Sequence, residues 1–305
     1  MNPSPKLSVC MITHNQERYI EQAVRSALMQ KTEFEYEIVI GEDCSTDRTR
    51  EILQRLNAEH SGCLRLLLPD RNLGAVCNFR ETYAACQGEY VALLEGDDYW
   101  TDPHKLQRQV QALTAHPDWS ACFHPVRYVN QLGEDSNIIH PRHAPLEVTI
   151  RDLFEQNLIQ TCSLVLRRQR MPTMPEWFLN LKLDDWPLVM LLSETGPIGF
   201  LPETMADYRR HPDGVWSPRD PLYHLQEVLT MFAELDRRTD GRYAADIRKA
   251  RNSLLADAYS DLQRLRTSLS YRLGFALTAP LRLVCDFVSR QRRPRFVFPQ
   301  RREKE

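Results

Sequence analysis

This 305-residue chain is predicted to adopt an α/β fold: a mainly parallel sheet with flanking helices, followed by a helical C-terminal extension. Two observations predict it. Over the first hundred residues short apolar runs alternate with helical apolar stripes, and polar residues stand directly after each run. Repeated strand–helix–strand units of this kind imply parallel strands with helices on both faces. The length allows one catalytic-sized domain with a tail. A composition of 42% hydrophobic and 26% charged residues is that of a folded chain rather than a disordered one.

Leu7 to Thr13 reads as a buried strand. Ile20, Ala23, Val24, Ala27 and Leu28 then recur at the spacing of one helix face. Tyr36–Gly41 is the second strand, and Ser45-Thr46-Asp47 supply N-cap residues for a helix carrying Ile52, Leu53 and Leu56. Leu64–Leu68 pairs with a helical stretch Val76–Gln87, and Tyr90–Leu94 is the fourth strand. A helix is expected around His104–Ala115, strands over Ala121–Val129 and Thr161–Leu166, a short helix over Ile150–Asn157 and a buried helix over Leu188–Ser193. Residues 130–149 read as a polar connection, Leu222 to Arg266 as one amphipathic helical stretch, and the last residues, from Arg290, as disordered.

In such sheets ligands bind beyond the carboxyl ends of the strands, where the strand order reverses. The polar residues there are Thr13-His14-Asn15, Glu42-Asp43, Asp70-Arg71-Asn72 and Glu95-Gly96-Asp97-Asp98. The last group places three carboxylates within four residues. Like charges this close raise one another's pKa unless a cation compensates them, so a hard divalent metal is the natural occupant. The competing reading, a helix N-cap near Asp102-Pro103, needs only one carboxylate.

Val9-Cys10-Met11-Ile12-Thr13-His14-Asn15, Glu42 through Asp47, Asn72-Leu73-Gly74 and Glu95-Gly96-Asp97-Asp98, in this order and spacing, resemble the family 2 glycosyltransferases of GT-A, Rossmann-like fold. The run from Glu95 to Pro103, with Lys105-Leu106 and Gln109, resembles bacterial members that build surface polysaccharides. The resemblance covers roughly residues 6–216. It implies that Asp43 hydrogen-bonds the nucleotide base, that Thr13 to Asn15 line the same pocket, and that Asp97 with Asp98 holds Mg²⁺ or Mn²⁺ on the sugar-nucleotide diphosphate. Glu95 stands where the first acid of a D-x-D motif is usual, in a supporting role, and Glu42 stands where an Asp is common. Turn capping competes for Glu42 and Asp43. Arg71 is placed to reach base or ribose, or is a solvated charge.

Transfer of a sugar to a hydroxyl needs a base for the proton and an electrophile for the departing diphosphate. The base candidate lies in Leu183-Asp184-Asp185-Trp186-Pro187-Leu188, where Trp186 offers a flat face to a sugar ring. By resemblance Asp185 is the base and Asp184 its neighbour. A capping pair before the helix Pro187–Ser193 is the alternative. Asp207-Tyr208-Arg209-Arg210-His211 resembles the Tyr-Arg-x-His motif of the subgroup, which implies that Arg209 or His211 lies near diphosphate or metal, and Trp216 is placed to close over the donor. Asn157 to Ser163 matches a segment facing the acceptor, where Thr161 and Ser163 are candidates to bond sugar hydroxyls; a strand-edge role competes. His124 reads as a core histidine.

Charge and cysteine usage complete the expectations. Residues 264–305 hold eleven Lys/Arg against Asp286, Glu303 and Glu305, a net of +8, so residues 1–263 carry −10 of the overall −2. Eight scattered cysteines without a C-x-x-C pair fit buried thiols in a reducing compartment. With no signal-peptide pattern after Met1, a cytoplasmic location is expected. The basic, apolar residues 268–295 fit an interfacial contact with the inner membrane face, or a helix packed on protein. The expected organisation is a catalytic domain over 1–220, with a nucleotide-sugar half to about 103 and an acceptor half beyond it; a helical extension over 221–290; and a tail over 291–305. Expected partners are a nucleotide-sugar, UDP-linked by resemblance, and a glycan or lipid-linked acceptor, with no nucleic acid and with homo-oligomerisation left open. Two alternatives are a non-catalytic carbohydrate-binding relative and a sugar-phosphate nucleotidyltransferase, which would need a Gly-rich phosphate loop where Thr13-His14-Asn15-Gln16-Glu17 stands.

Overall fold

The structure, a computed structural model, describes residues 4–60, 63–171, 185–214 and 220–267. The chain divides into two units, Met1–Ile247 and Arg248–Glu305. The first begins with β1 (Leu7–Thr13), α1 (Ile20–Leu28), β2 (Tyr36–Glu42), α2 (Thr49–Glu59), β3 (Leu64–Leu67), α3 (Ala75–Ala85) and β4 (Tyr90–Glu95). These strands run parallel in the order β3-β2-β1-β4. Leu7, Val9 and Met11 on one face of β1 and Ser8 and Cys10 on the other are all buried, which is why this strand reads as a continuous run. Ile20, Ala23, Val24 and Ala27 are the buried face of α1. Helix α2 starts later than its expected caps: Asp47 accepts from the Thr49 amide (2.9 Å), whereas Ser45 and Thr46 bond to Asn15.

Next come β5 (Tyr99–Trp100), α4 (Lys105–Ala115), β6 (Ala121–Phe123), β7 (Val126–Val129), β8 (Asp135–His140), β9 (Glu147–Val148), α5 (Ile150–Glu155), β10 (Val165–Arg167), α6 (Asp185–Ser193), β11 (Ile198–Phe200) and β12 (Ala206–Arg209). The large sheet continues past β4 as β10-β6-β11-β9, with β10 and β9 antiparallel to their neighbours. A second sheet has the order β5-β12-β7-β8.

Three expectations are corrected here. Ala121–Val129 is not one strand: it breaks at His124-Pro125 and feeds both sheets, because proline has no N–H for a ladder. Residues 130–149 are not merely a connection, since they contain β8 and β9. Thr161–Ser163 is a 3-10 turn before β10 rather than strand. Buried side chains take the carbonyls that a ladder would have used. Trp100 Nε1 donates to Cys162 O (2.9 Å) and Gln109 Nε2 to Ser163 O (2.9 Å).

The expected helical stretch after residue 221 is two helices, α7 (Pro221–Arg238) and α8 (Ala244–Thr267). Asp240 and Gly241 between them have positive φ of 47° and 71°, which a helix does not tolerate. Phe232 of α7 packs against Phe154 (5.8 Å) and Trp186 (5.9 Å). No described helix is long and apolar enough to cross a membrane. The seven described cysteines are free thiols, four of them buried; Cys285 and residues 268–295 lie outside the described residues.

Candidate active site

Adjacent β1 and β4 end level, with Ile12 opposite Glu95. Gly96 N donates to Ile12 O (2.9 Å), drawing the acidic turn against the loop after β1. A Cβ on Gly96 would stand 2.5 Å from Gln16 Oε1 and 2.6 Å from Thr13 Oγ1, so no other residue lets the two loops meet this closely. Thr13 Oγ1 donates to Gln16 Oε1 (2.7 Å), which holds that wall.

The turn splits its carboxylates. Asp97 keeps 19% side-chain exposure, and its Oδ2 lies 2.9 Å from Nε2 of the buried His211, whose ring rests on Tyr19. Asp98 is 2% exposed and accepts from the Arg209 amide (2.8 Å), with the Cys162 thiol also bonded to it. Burial, then the Asp97 charge, raises the Asp98 carboxyl well above the usual carboxylate range, opposed by the Arg209 N–H. Asp98 thus anchors the turn from beneath.

Arg209 is engaged in the same turn. Its guanidinium donates to the Asp97 carbonyl (2.9 Å), to the carbonyls of Asn130 (3.4 Å) and Gln131 (3.3 Å) and to Gln22 Oε1 (2.8 Å), and it lies over the rings of Tyr19 and Tyr99. It is a buried tie between four segments. The strand pattern explains this, because β12 turns Asp207 and Arg209 to one face and Tyr208 to the other.

Asp185 opens α6, half-buried, with Oδ1 accepting from the Trp186 amide (2.6 Å) and Oδ2 from Asn157 Nδ2 (3.3 Å). What links it to the acidic turn is Tyr208. Burial, then the charges of Asp98, Asp97, Asp185 and Glu95 in that order, push the Tyr208 phenol well up. One phenol thus feels all four carboxylates. Trp186 does not present its face: its ring is 8% exposed, against Phe232, with Nε1 donating to Leu153 O (2.8 Å). Its apolar bulk is worth more in the core. Asp184 and Trp216 lie outside the described residues.

On the nucleotide side, Asp43 joins three loops. Its carboxylate accepts from the amides of Leu73 (2.7 Å) and Gly74 (2.9 Å), its own amide donates to Thr13 O (3.0 Å), and its carbonyl accepts from Asn72 Nδ2 (3.1 Å). Gly74, at φ 83°, makes that two-amide cradle possible. Asp43 is 2% exposed and holds these loops together. Glu42 is fully buried, accepts from the Ser45 amide (2.6 Å) and pairs with Arg50, so it closes the turn. Asn15, at φ 53°, is likewise a clamp: it accepts from the Thr46 amide and takes the Ser45 hydroxyl on its own. Exposed residues in these loops include His14, Asn15, Arg71 and Asn72. Ser163 is buried and donates to Gln160 O (2.6 Å), so it bonds no sugar; Thr161 is half-buried at the turn's start.

Among the described residues no three His, Cys, Asp or Glu side chains converge as a metal cage. Asp97 and His211 nevertheless fit two places on an ion. An octahedral cation at roughly 2.1 Å from its ligands sets neighbouring ligand atoms about 3 Å apart, and such ions complete their shell with substrate phosphates and water. The separation here is 2.9 Å. Tyr208, His14 and Asn157 stood in the sequence only as members of their motifs, without a role of their own. The alternation along β12 was the further signal available for Tyr208.

Comparison with known proteins bears on the family and the fold. An uncharacterized protein of Mycobacterium tuberculosis is 41% identical over 210 residues, 69% of this chain. The chain spans 60% of that relative's length. TuaG of Bacillus subtilis, named as a teichuronic acid biosynthesis glycosyltransferase, is 28% identical over 68% of this chain and 80% of its own. In fold, Staphylococcus aureus TarS in complex with UDP-GlcNAc aligns with a TM-score of 0.57 at 20% identity, over 76% of this chain and 66% of TarS. The Pyrobaculum calidifontis mannosyltransferase with GDP-Man and Mn²⁺ aligns at 0.55 and 17% identity, over 92% and 81%. The description Glycosyl transferase family 2 matches residues 8–171, more than half of the chain, which therefore belongs to that family of glycosyltransferases.

Proposed function

We propose that the chain transfers a sugar, with inversion, from a uridine-type nucleotide-sugar to a hydroxyl of a glycan or lipid-linked acceptor in bacterial surface-polysaccharide synthesis. The observation that carries this reading is Asp97 Oδ2, in the turn after β4 of a family 2 chain, lying 2.9 Å from His211 Nε2. Asp185 takes the proton of the acceptor hydroxyl as its oxygen bonds to the anomeric carbon. The bond from that carbon to the diphosphate breaks on the opposite face, and the nucleoside diphosphate leaves with the electron pair. Asp97 and His211 would hold Mg²⁺ or Mn²⁺, which supplies Lewis-acid stabilisation to the leaving diphosphate. Arg209 and Asp98 keep Asp97 in place. TuaG's name supports the surface-glycan setting. Residues 268–295 are proposed to touch the inner membrane face.

The test is nucleotide release by purified chain from a panel of nucleotide-sugars, with and without Mn²⁺. Metal-dependent release is expected with a UDP-sugar. Binding of nucleotide-sugar without turnover on any acceptor would favour the non-catalytic alternative. For the tail, deletion of residues 268–305 is expected to abolish binding to anionic vesicles; unchanged binding would remove the membrane contact.

A further inference from the structure

Beside Asp185, half-buried Asn157, His140 and Gln160, buried Tyr128 and exposed Arg210 form a shelf, a row of polar groups with no role so far. Asn157 donates to Asp185 (3.3 Å), and its carbonyl is 2.9 Å from His140 Nε2. The His140 ring lies 5.9 Å from Tyr128, and Gln160 Nε2 donates to the Tyr128 hydroxyl (3.2 Å). Tyr128 is paired across the sheet with Tyr208, their rings 5.3 Å apart, so the shelf is continuous with the wall that senses the acidic turn. At its outer end the Arg210 guanidinium lies 4.2 Å over the Tyr128 ring.

Three arginines surround this sheet, and two are neutralised. Arg127 is held by Asp207 through two hydrogen bonds of 3.0 and 2.7 Å, and Arg209 is buried in its web of carbonyls and rings. Arg210 is exposed and makes no ion pair among the described residues. Its guanidinium lies over the Tyr128 ring and hydrogen-bonds the Tyr128 side chain, which positions it, and its other N–H groups suit a carboxylate or phosphate. We propose that the shelf Asn157–His140–Tyr128–Arg210 is the acceptor subsite and that it takes an anionic glycan, whose acidic group pairs with Arg210 while a nearby hydroxyl reaches Asp185. This rests on the glycosyltransferase reading above. Phosphate and uronic-acid carboxylate share the required chemistry.

The experiment compares acceptors by UDP release from the active UDP-sugar: a neutral oligosaccharide, one containing a uronic acid, and a polyol-phosphate oligomer. The full-length chain is expected to prefer at least one anionic acceptor by about tenfold or more in kcat/KM, the scale of a charge-assisted contact. Which anionic arm is preferred identifies the source. In Arg210→Gln the anionic-to-neutral ratio should fall to near one, with partial recovery in Arg210→Lys and no change in nucleotide Kd. Equal use of neutral and anionic acceptors by the unmodified chain overturns the inference but not the transferase reading. So does an Arg210→Gln variant that loses nucleotide affinity, which would assign Arg210 to the donor diphosphate. Absence of transfer to every acceptor overturns both.

Discussion

The loop after β2, and the turn after β4 together with the start of α6, are both rich in carboxylates, and the two regions use them in opposite ways. In the first, Glu42 and Asp43 are sealed by backbone amides and Arg50, so their charge organises loops. In the second, Asp97 retains exposure beside His211, and Asp185 sits half-buried at a helix start near the same phenol. A carboxylate that accepts two amides stabilises the fold; one left partly exposed is available for a cation or a proton. The acidic turn contains both kinds in consecutive residues, Asp97 outward and Asp98 inward.

The widest gap between the two regions should appear on removing the outward acids. Asp185→Asn is expected to lower kcat by roughly 10²–10⁴-fold, the usual worth of a general base, with nucleotide Kd unchanged by calorimetry. Asp97→Asn should cost turnover on the order of 10²–10³-fold and erase the Mn²⁺ dependence of nucleotide binding. Transfer at full rate by either variant would break the contrast. Next in size, Arg209→Ala should destabilise the fold by roughly 3 kcal/mol, since it strands several buried carbonyls. Thermal denaturation would read this, and Mn²⁺ affinity should fall with it because Asp97 loses its tie; a normal melting temperature would mean that the web is dispensable. In the sealed loop, Asp43→Asn is expected to cost about 1–3 kcal/mol of stability, because an amide group cannot accept from both Leu73 and Gly74. A variant that lost only nucleotide affinity, at unchanged melting temperature, would assign Asp43 to direct base readout.

The smallest effect concerns Lys105, fully buried against the Trp100 ring at 4.3 Å with its ammonium on Gln109. Burial lowers its pKa to about 7. Between that value and its ordinary range the unfolded chain holds a proton that the folded chain has lost, so stability rises as pH rises, by at most about 1.4 kcal/mol per pH unit. Lys105→Met should flatten this rise in denaturant titrations at pH 7 to 9. A slope identical to that of the unmodified chain would contradict the assignment.

The parallel core was legible because its signals are local. Leu7 to Thr13 must be apolar throughout when both faces are covered, and the Ile20–Ala27 stripe repeats at helical period. In residues 121–166 the helix from Ile150 was legible and the strands were only partly so, because their pairing depends on distant side chains: Gln109 and Trp100 draw Cys162 and Ser163 out of a strand from more than fifty residues away. Among site residues, Asp97, Asp185 and His211 were singled out by the order of their motifs. The burial of Asp98, Arg209, Trp186, Glu42 and Asp43 was not legible, because exposure is not a property of residue type.

By itself the sequence determined the strand–helix alternation, the level strand ends and which residues carry charge at them, since periodicity and turn chemistry act over a few residues. Only the tertiary structure decided which charges remain available. That choice depends on whether a backbone amide, an arginine fork or open crevice stands opposite each oxygen, and those partners come from 30 to 110 residues away, as Asp43 with Leu73 and Asp98 with Arg209 illustrate.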